Sequence, residues 1–313
     1  MYCVGKTTAL LHRMFAESLA HSEYSSPPSD GCITSSCNQL MVTASPILCS
    51  AISRSYAKMC STHSASIHNP PLAQERSLQG ECNQTPPTNF VQCSTSDFPL
   101  IVTFSKFLTM LDNSLRVSFF STKRASAVDE DNNAEETYRF SNTNCRREVD
   151  YDRFVNHYFP HFDGDAGYDV DQVYIEIMSF IKGSLQALHS ARGYLSLSQY
   201  LDLSESRNST LTREQREVVY HVFFEKYEKI KNTFYRDYDM LDVVFFVYTS
   251  LTTSPYPGIL MTSVYIDEVQ DLTPAQLSLF QFVCPNLKGF VFAGDTAQTV
   301  STMLCNVIVN LEI

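Results

Sequence analysis

Apolar positions along the chain fall into short runs separated by long polar stretches. QLMVTA at Gln39–Ala44 and PLIVTF at Pro99–Phe104 read as strands, and each is followed by a segment that can coil into a helix, an α/β rhythm. From Asp171 to about Phe234 the apolar spacing becomes helical. Its clearest stretch starts at Thr212, with Gln215 three residues on in a capping-box pattern and Val219, Phe223, Tyr227 and Ile230 on one face. After Pro255-Tyr256-Pro257-Gly258 the strand rhythm returns with LMTSVYID. A helix is predicted from Thr273-Pro274, an N-cap followed by a first-turn proline, and then the strand GFVFAGD.

Three stretches rich in Ser, Pro, Asn and Thr read as loop or disorder: His21–Asn38, Ser61–Ser96 and Ser121–Asp150. The last holds Asp129, Glu130, Asp131, Glu135 and Glu136, a solvated acidic run. No internal repeat is visible. The expected organisation is a first sheet segment at 1–60, a polar loop at 61–97 and a largely helical insertion at 98–254 containing the acidic loop 121–150. The remaining sheet follows at 255–300, and a tail at 301–313.

Composition narrows the function classes. With 313 residues, 44% hydrophobic, 21 Phe and 17 Tyr, the chain can bury a sizeable core. Its 23 Lys and Arg face 34 Asp and Glu, a net charge of −11, which excludes holding nucleic acid by global electrostatics. The longest apolar run, Val243–Tyr248, is too short for a membrane span, and the N-terminal segment lacks a signal-peptide core, so an intracellular protein is expected, nuclear or cytoplasmic. The ten cysteines are scattered without CxxC spacing and read as reduced thiols. His157 and His161 stand four apart beside Asp163, but Pro160 breaks the helix that would align them on a metal.

Two strings carry candidate chemistry. Gly5-Lys6-Thr7-Thr8, followed by the helix-like ALLHRMF, matches the end of a phosphate-binding loop, GxxxxGK[ST]. The first glycine of that pattern would fall one residue before Met1, and an ordinary helix start is the alternative. The run Val264-Tyr265-Ile266 delivers Asp267 and Glu268 to its C-terminal end, as a magnesium-binding strand does in nucleotide hydrolases; a solvated acidic turn is the alternative.

The longer strings VYIDEVQDLTPAQ and FVFAGDTAQTV resemble motifs II and III of the UvrD/Rep/PcrA family of superfamily 1 helicases. LMVTASPILCSAI resembles motif Ia and VTFSKFL the TFHxF segment, with Ser105 where the family usually has histidine. VYIEIMSFIKGSL, REQREVVYHVFFEKYEKI and RDYDMLDVVFFVY look most like the helicase-like domain of large TPR-and-ankyrin-repeat-containing proteins.

The resemblance implies a P-loop, RecA-like parallel sheet with a large helical insertion, binding and hydrolysing Mg-ATP coupled to single-stranded DNA or RNA. By it, Gly5, Lys6, Thr7, Thr8, Asp267 and Asp295 bind nucleotide, Thr7 and Asp267 hold Mg2+, and Glu268 and Gln298 are catalytic. Gln270 belongs with Asp295 to the coupling network. Thr43, Ser45, Thr103 and Phe104 approach nucleic acid, with core packing the alternative for Phe104. Against that family the chain lacks the strand before Gly5 and the second lobe with its arginines. A nucleotide-binding or scaffold module without turnover, or an inactive fragment, is therefore the rival expectation.

Overall fold

The structure, a computed structural model, describes residues 5–24, 37–67, 87–121, 147–162, 167–206 and 211–294. The chain divides into two units. One takes in residues 1–116, 256–272 and 280–313; the other takes in 117–255 and 273–279.

The first unit is a four-stranded parallel sheet with helices. In chain order it holds α1 (Gly5–Tyr24), β1 (Gln39–Thr43), α2 (Pro46–Ile67), β2 (Leu100–Thr103), α3 (Phe104–Ser114), β3 (Ser263–Ile266) and β4 (Phe290–Phe292), with strand order β2-β1-β3-β4. Every residue of β1 is buried, as a central strand covered on both faces requires. Register sets one row across the sheet, Ile101, Met41, Tyr265 and Val291. That row packs with Leu10, Leu11 and Met14 of α1 and Ile52 of α2. Because side chains alternate along a strand, Leu40, Val42, Val264 and Ile266 belong to the opposite face.

Local signals start the helices. Ser45 accepts a hydrogen bond from the Leu48 backbone N–H, and Pro46 opens the first turn of α2. Thr103 likewise accepts from the Lys106 N–H to begin α3. Both α1 and α2 run further than the polar composition predicts, to Tyr24 and Ile67. Ser22 donates to the Leu19 carbonyl, while Ser61 and Thr62 donate to the Lys58 carbonyl, so these hydroxyls bond back onto the helix instead of ending it.

The second unit is helical, with wide π turns at Phe154–Tyr158, Glu176–Lys182, Val219–Phe224 and Ile230–Tyr235. The capping box at Thr212 and Gln215 forms as its spacing predicts, and so does one at Thr273 and Gln276 ahead of the helix at Pro274–Ser278. Two boundaries differ from the sequence expectation. β2 and α3, assigned to the insertion from residue 98, pair into the sheet unit, because the apolar run of β2 docks beside β1. Residues 273–279, assigned to the returning sheet, belong to the helical unit, where the Ala275 N–H donates to the Gly183 carbonyl. What is established is a mixed α/β chain with a parallel sheet and mostly helical content.

Candidate functional site

Ser263, Tyr265 and Asp267 stand at alternate positions, so all three project from the same sheet face, and each bonds to α1. The Ser263 and Tyr265 hydroxyls donate to Glu17 Oε2 at 3.0 and 2.6 Å. At the other end Thr7 Oγ1 donates to Asp267 Oδ2 at 2.5 Å. From Thr7 to Glu17 a helix rises about 15 Å, and from Ser263 to Asp267 a strand rises about 13 Å, so the two spans match. The match lays α1 antiparallel to β3. Gln39 adds a tie, its amide donating to the Met14 carbonyl and to the Tyr265 hydroxyl.

Burial pushes the Glu17 carboxyl up, but hydrogen bonds from Tyr265, Arg13 and Ser263 outweigh it and hold Glu17 below its ordinary value. The same contact, with burial leading, raises the Tyr265 hydroxyl far above the usual tyrosine range. This network was not anticipated from sequence. Its signal is Glu17 at helical spacing from Thr7, Leu10 and Met14.

The pinning brings the N-terminus of α1 to the C-terminal edge of the sheet. Asp267 is 3% exposed; its Oδ1 accepts the Glu268 N–H at 3.2 Å, and its own N–H donates to the Val42 carbonyl, extending the β1–β3 ladder. Lys6 and Thr8 flank Thr7 on the first turn, Lys6 half-buried and Thr8 exposed. A Cβ at Gly5 would meet no atom within 4 Å, so open space adjoins the helix start. Glu268 adopts the left-handed conformation, φ 50° and ψ 50°, a placement that costs a non-glycine residue about 1–3 kcal/mol. Its carboxylate, half-buried, accepts from the Gln270 amide at 2.6 Å.

Thr7 and Asp267, 260 residues apart in sequence, thus meet, and Glu268 is the next residue after Asp267. Asp295 and Gln298 lie outside the described residues. Thr43 is buried and shares a 3.3 Å contact with Ser45, while Ser45 and Thr103 cap helices. Phe104 is 6% exposed, packed with Phe107 and Phe280, so core packing accounts for it.

The helical unit holds a second cluster of charge. Lys182 Nζ donates to Glu228, Asp239 and Asp242 at 3.1, 2.5 and 2.7 Å, and Lys231 Nζ reaches the same three at 2.7, 2.8 and 2.7 Å. Among the described residues, these carboxylates form the group whose oxygens, all within 4.8 Å of one another, could hold a metal ion. The two ammonium groups already supply the positive charge that an ion would bring. His157 and His161 sit in successive π and 3-10 turns and join no such group among the described residues.

Compared with known proteins, the chain is 25% identical over 297 residues to human (Homo sapiens) TPR and ankyrin repeat-containing protein 1, covering 84% of this chain and 10% of that protein. The chain therefore spans about a tenth of the length of the curated relative it matches. No protein-family model matches it. No solved structure matches it either. The motif resemblance to UvrD-type superfamily 1 helicases is thereby corrected: neither a helicase family nor a helicase fold is matched, and the supported likeness is to the repeat-containing protein. Short strings such as DEVQD and GDTAQ reflect few positions, and a strand ending in carboxylates needs no common family to recur. No helix among the described residues is long and apolar enough to cross a membrane.

Proposed function

We propose that the sheet unit binds the magnesium complex of a nucleoside triphosphate, ATP being the probe of choice, at the N-terminus of α1. The observation that carries the reading is the Thr7 Oγ1 to Asp267 Oδ2 contact of 2.5 Å at the C-terminal edge of a parallel sheet. Ligands of open α/β sheets gather at that edge. A helix N-terminus favours anions through its free N–H groups and its dipole.

The residues fit the ion: a hydroxyl and a carboxylate are the hard oxygen donors Mg2+ prefers, and here they already adjoin. Mg2+ would supply charge neutralisation for the phosphates, with Thr7 and Asp267 as its protein ligands. Lys6, beside Thr7, would meet the outer phosphate oxygens. Glu268 would orient water and accept its proton, which makes the chain a candidate ATP hydrolase. Nucleic acid is left out of the proposal, because the hydroxyls of Ser45 and Thr103 serve as helix caps and Phe104 is enclosed.

Calorimetry of the whole chain with Mg-ATP tests this. Binding that Lys6→Ala weakens at least ~10-fold, and that chelation of Mg2+ weakens too, supports the reading. A chain that melts cooperatively and takes up no Mg-ATP overturns it.

A further inference from the structure

Glu268 does not aim its carboxylate unaided. Its left-handed backbone turns it out of line with β3, and its carboxylate is met by the Gln270 amide nitrogen at 2.6 Å. The other end of that amide abuts Gly294: a Cβ there would stand 2.7 Å from Gln270 Oε1 and 2.8 Å from Val269 Cγ1. Real Cβ atoms do not approach that closely, so any residue larger than glycine forces Gln270, Val269 or the strand itself to shift. The backbone around it is braced. The Val269 N–H donates to the Ala293 carbonyl at 3.0 Å and the Ala293 N–H to the Ile266 carbonyl at 2.9 Å, while the Asp271 N–H donates to the Glu268 carbonyl at 2.9 Å. Gly294 is therefore carried on an extension of β4 that is hydrogen-bonded directly to the turn bearing Glu268 and Gln270.

We infer that Gln270 is the positioning residue for Glu268, and that Gly294 is the space that lets Gln270 do so. The inference rests on the nucleotide reading above for its catalytic meaning. The amide donates to one carboxylate oxygen and leaves the other to accept a proton from water. Neither Gln270 nor Gly294 is among the residues proposed to hold the nucleotide, so nucleotide affinity is separable from turnover.

The test uses the whole chain as wild type, Gln270→Ala, Gly294→Ala and Glu268→Gln, each checked by a thermal melt. Three quantities are read: the 1H–15N side-chain amide resonances of Gln270 at one fixed pH, Mg-ATP affinity by calorimetry, and kcat and KM for ATP. The position of the Gln270 resonances in wild type should differ from that in Glu268→Gln, where the charged acceptor is gone while Asp267 and Asp271 remain. A change of the same kind should appear in Gly294→Ala, where the seat of the amide is lost. In Gln270→Ala and Gly294→Ala, kcat should fall at least ~10-fold with KM within about twofold of wild type. Gln270 resonances unmoved in Glu268→Gln, or a wild-type kcat in Gln270→Ala, overturn the inference while Mg-ATP binding stands. Absence of Mg-ATP binding alongside resonances that move in Glu268→Gln overturns instead the nucleotide reading, and the catalytic role of Gln270 with it.

Discussion

Asp267 is a buried carboxylate with both oxygens engaged, Oδ2 by Thr7 and Oδ1 by the Glu268 N–H. Replacing Thr7 by valine keeps the branched shape and removes the donor, leaving a buried charged oxygen without that partner. Such a loss costs about 1–3 kcal/mol. Urea unfolding of Thr7→Val in the absence of Mg2+ should show a drop of that size, and Thr7→Ser should recover most of it. A Thr7→Val chain within ~0.5 kcal/mol of wild type would show that the contact contributes little. Thr7 and Asp267 were legible in sequence because each sits in a short string with its own chemical logic, GKTT and an apolar run tipped by carboxylates. The bonds of Glu17 to β3 and of Gln270 to Glu268 were not legible, although the resemblance did single out Gln270 for a coupling network. Such bonds depend on which residue stands across a helix, a turn or a neighbouring strand, and spacing along the chain does not encode that.

At the scale of elements, α1 is fixed to β3 at both ends, and the lower tie is titratable. Glu17 has a folded pKa below its ordinary value near 4.5, so the tie contributes fully above that value and is lost as pH falls through the folded one. Thermal melts below about pH 4.5 should therefore show wild type losing stability more steeply than Glu17→Gln. Parallel slopes would remove the tie from the account. The strands themselves were legible: the short apolar runs in QLMVTA and PLIVTF give β1 and β2 nearly to the residue, and the cap pairs Thr212 with Gln215 and Thr273 with Gln276 form where their spacing puts them. The ends of α1 and α2 were not. Serine and threonine are compatible with loop and helix alike, and the back-bonding hydroxyls of Ser22, Ser61 and Thr62 decide it only once the helix exists.

For the whole molecule, each unit has its own interior, apolar in the sheet unit and partly ionic in the helical one. Asp239, 1% exposed, is bonded by both buried lysines and by the Tyr227 hydroxyl. Burial opposes charge at Lys182, but Asp239, Asp242 and Glu228 together hold its ammonium well above the ordinary lysine value of 10.5; the two ammonium groups in turn hold Asp239 far below the usual carboxylate range. The cluster sums to two positive and three negative groups, and removing Lys182 leaves one positive against three negative in the interior. Breaking a buried ionic set by deleting one partner costs about 3–5 kcal/mol. Lys182→Met should lose that much at neutral pH. Because a raised lysine pKa contributes fully below the unfolded value and is lost as pH rises through the folded one, the difference between the two chains should narrow only above about pH 10.5. Native-state hydrogen exchange locates the effect. Protection should fall first at 176–182, 213–235 and 240–253, which carry the cluster and its packing, with the amides of β1 and β3 as the internal reference. An equal fall at β1 and β3 would mean that the loss is global, and that the contribution of the cluster is not confined to its own helices.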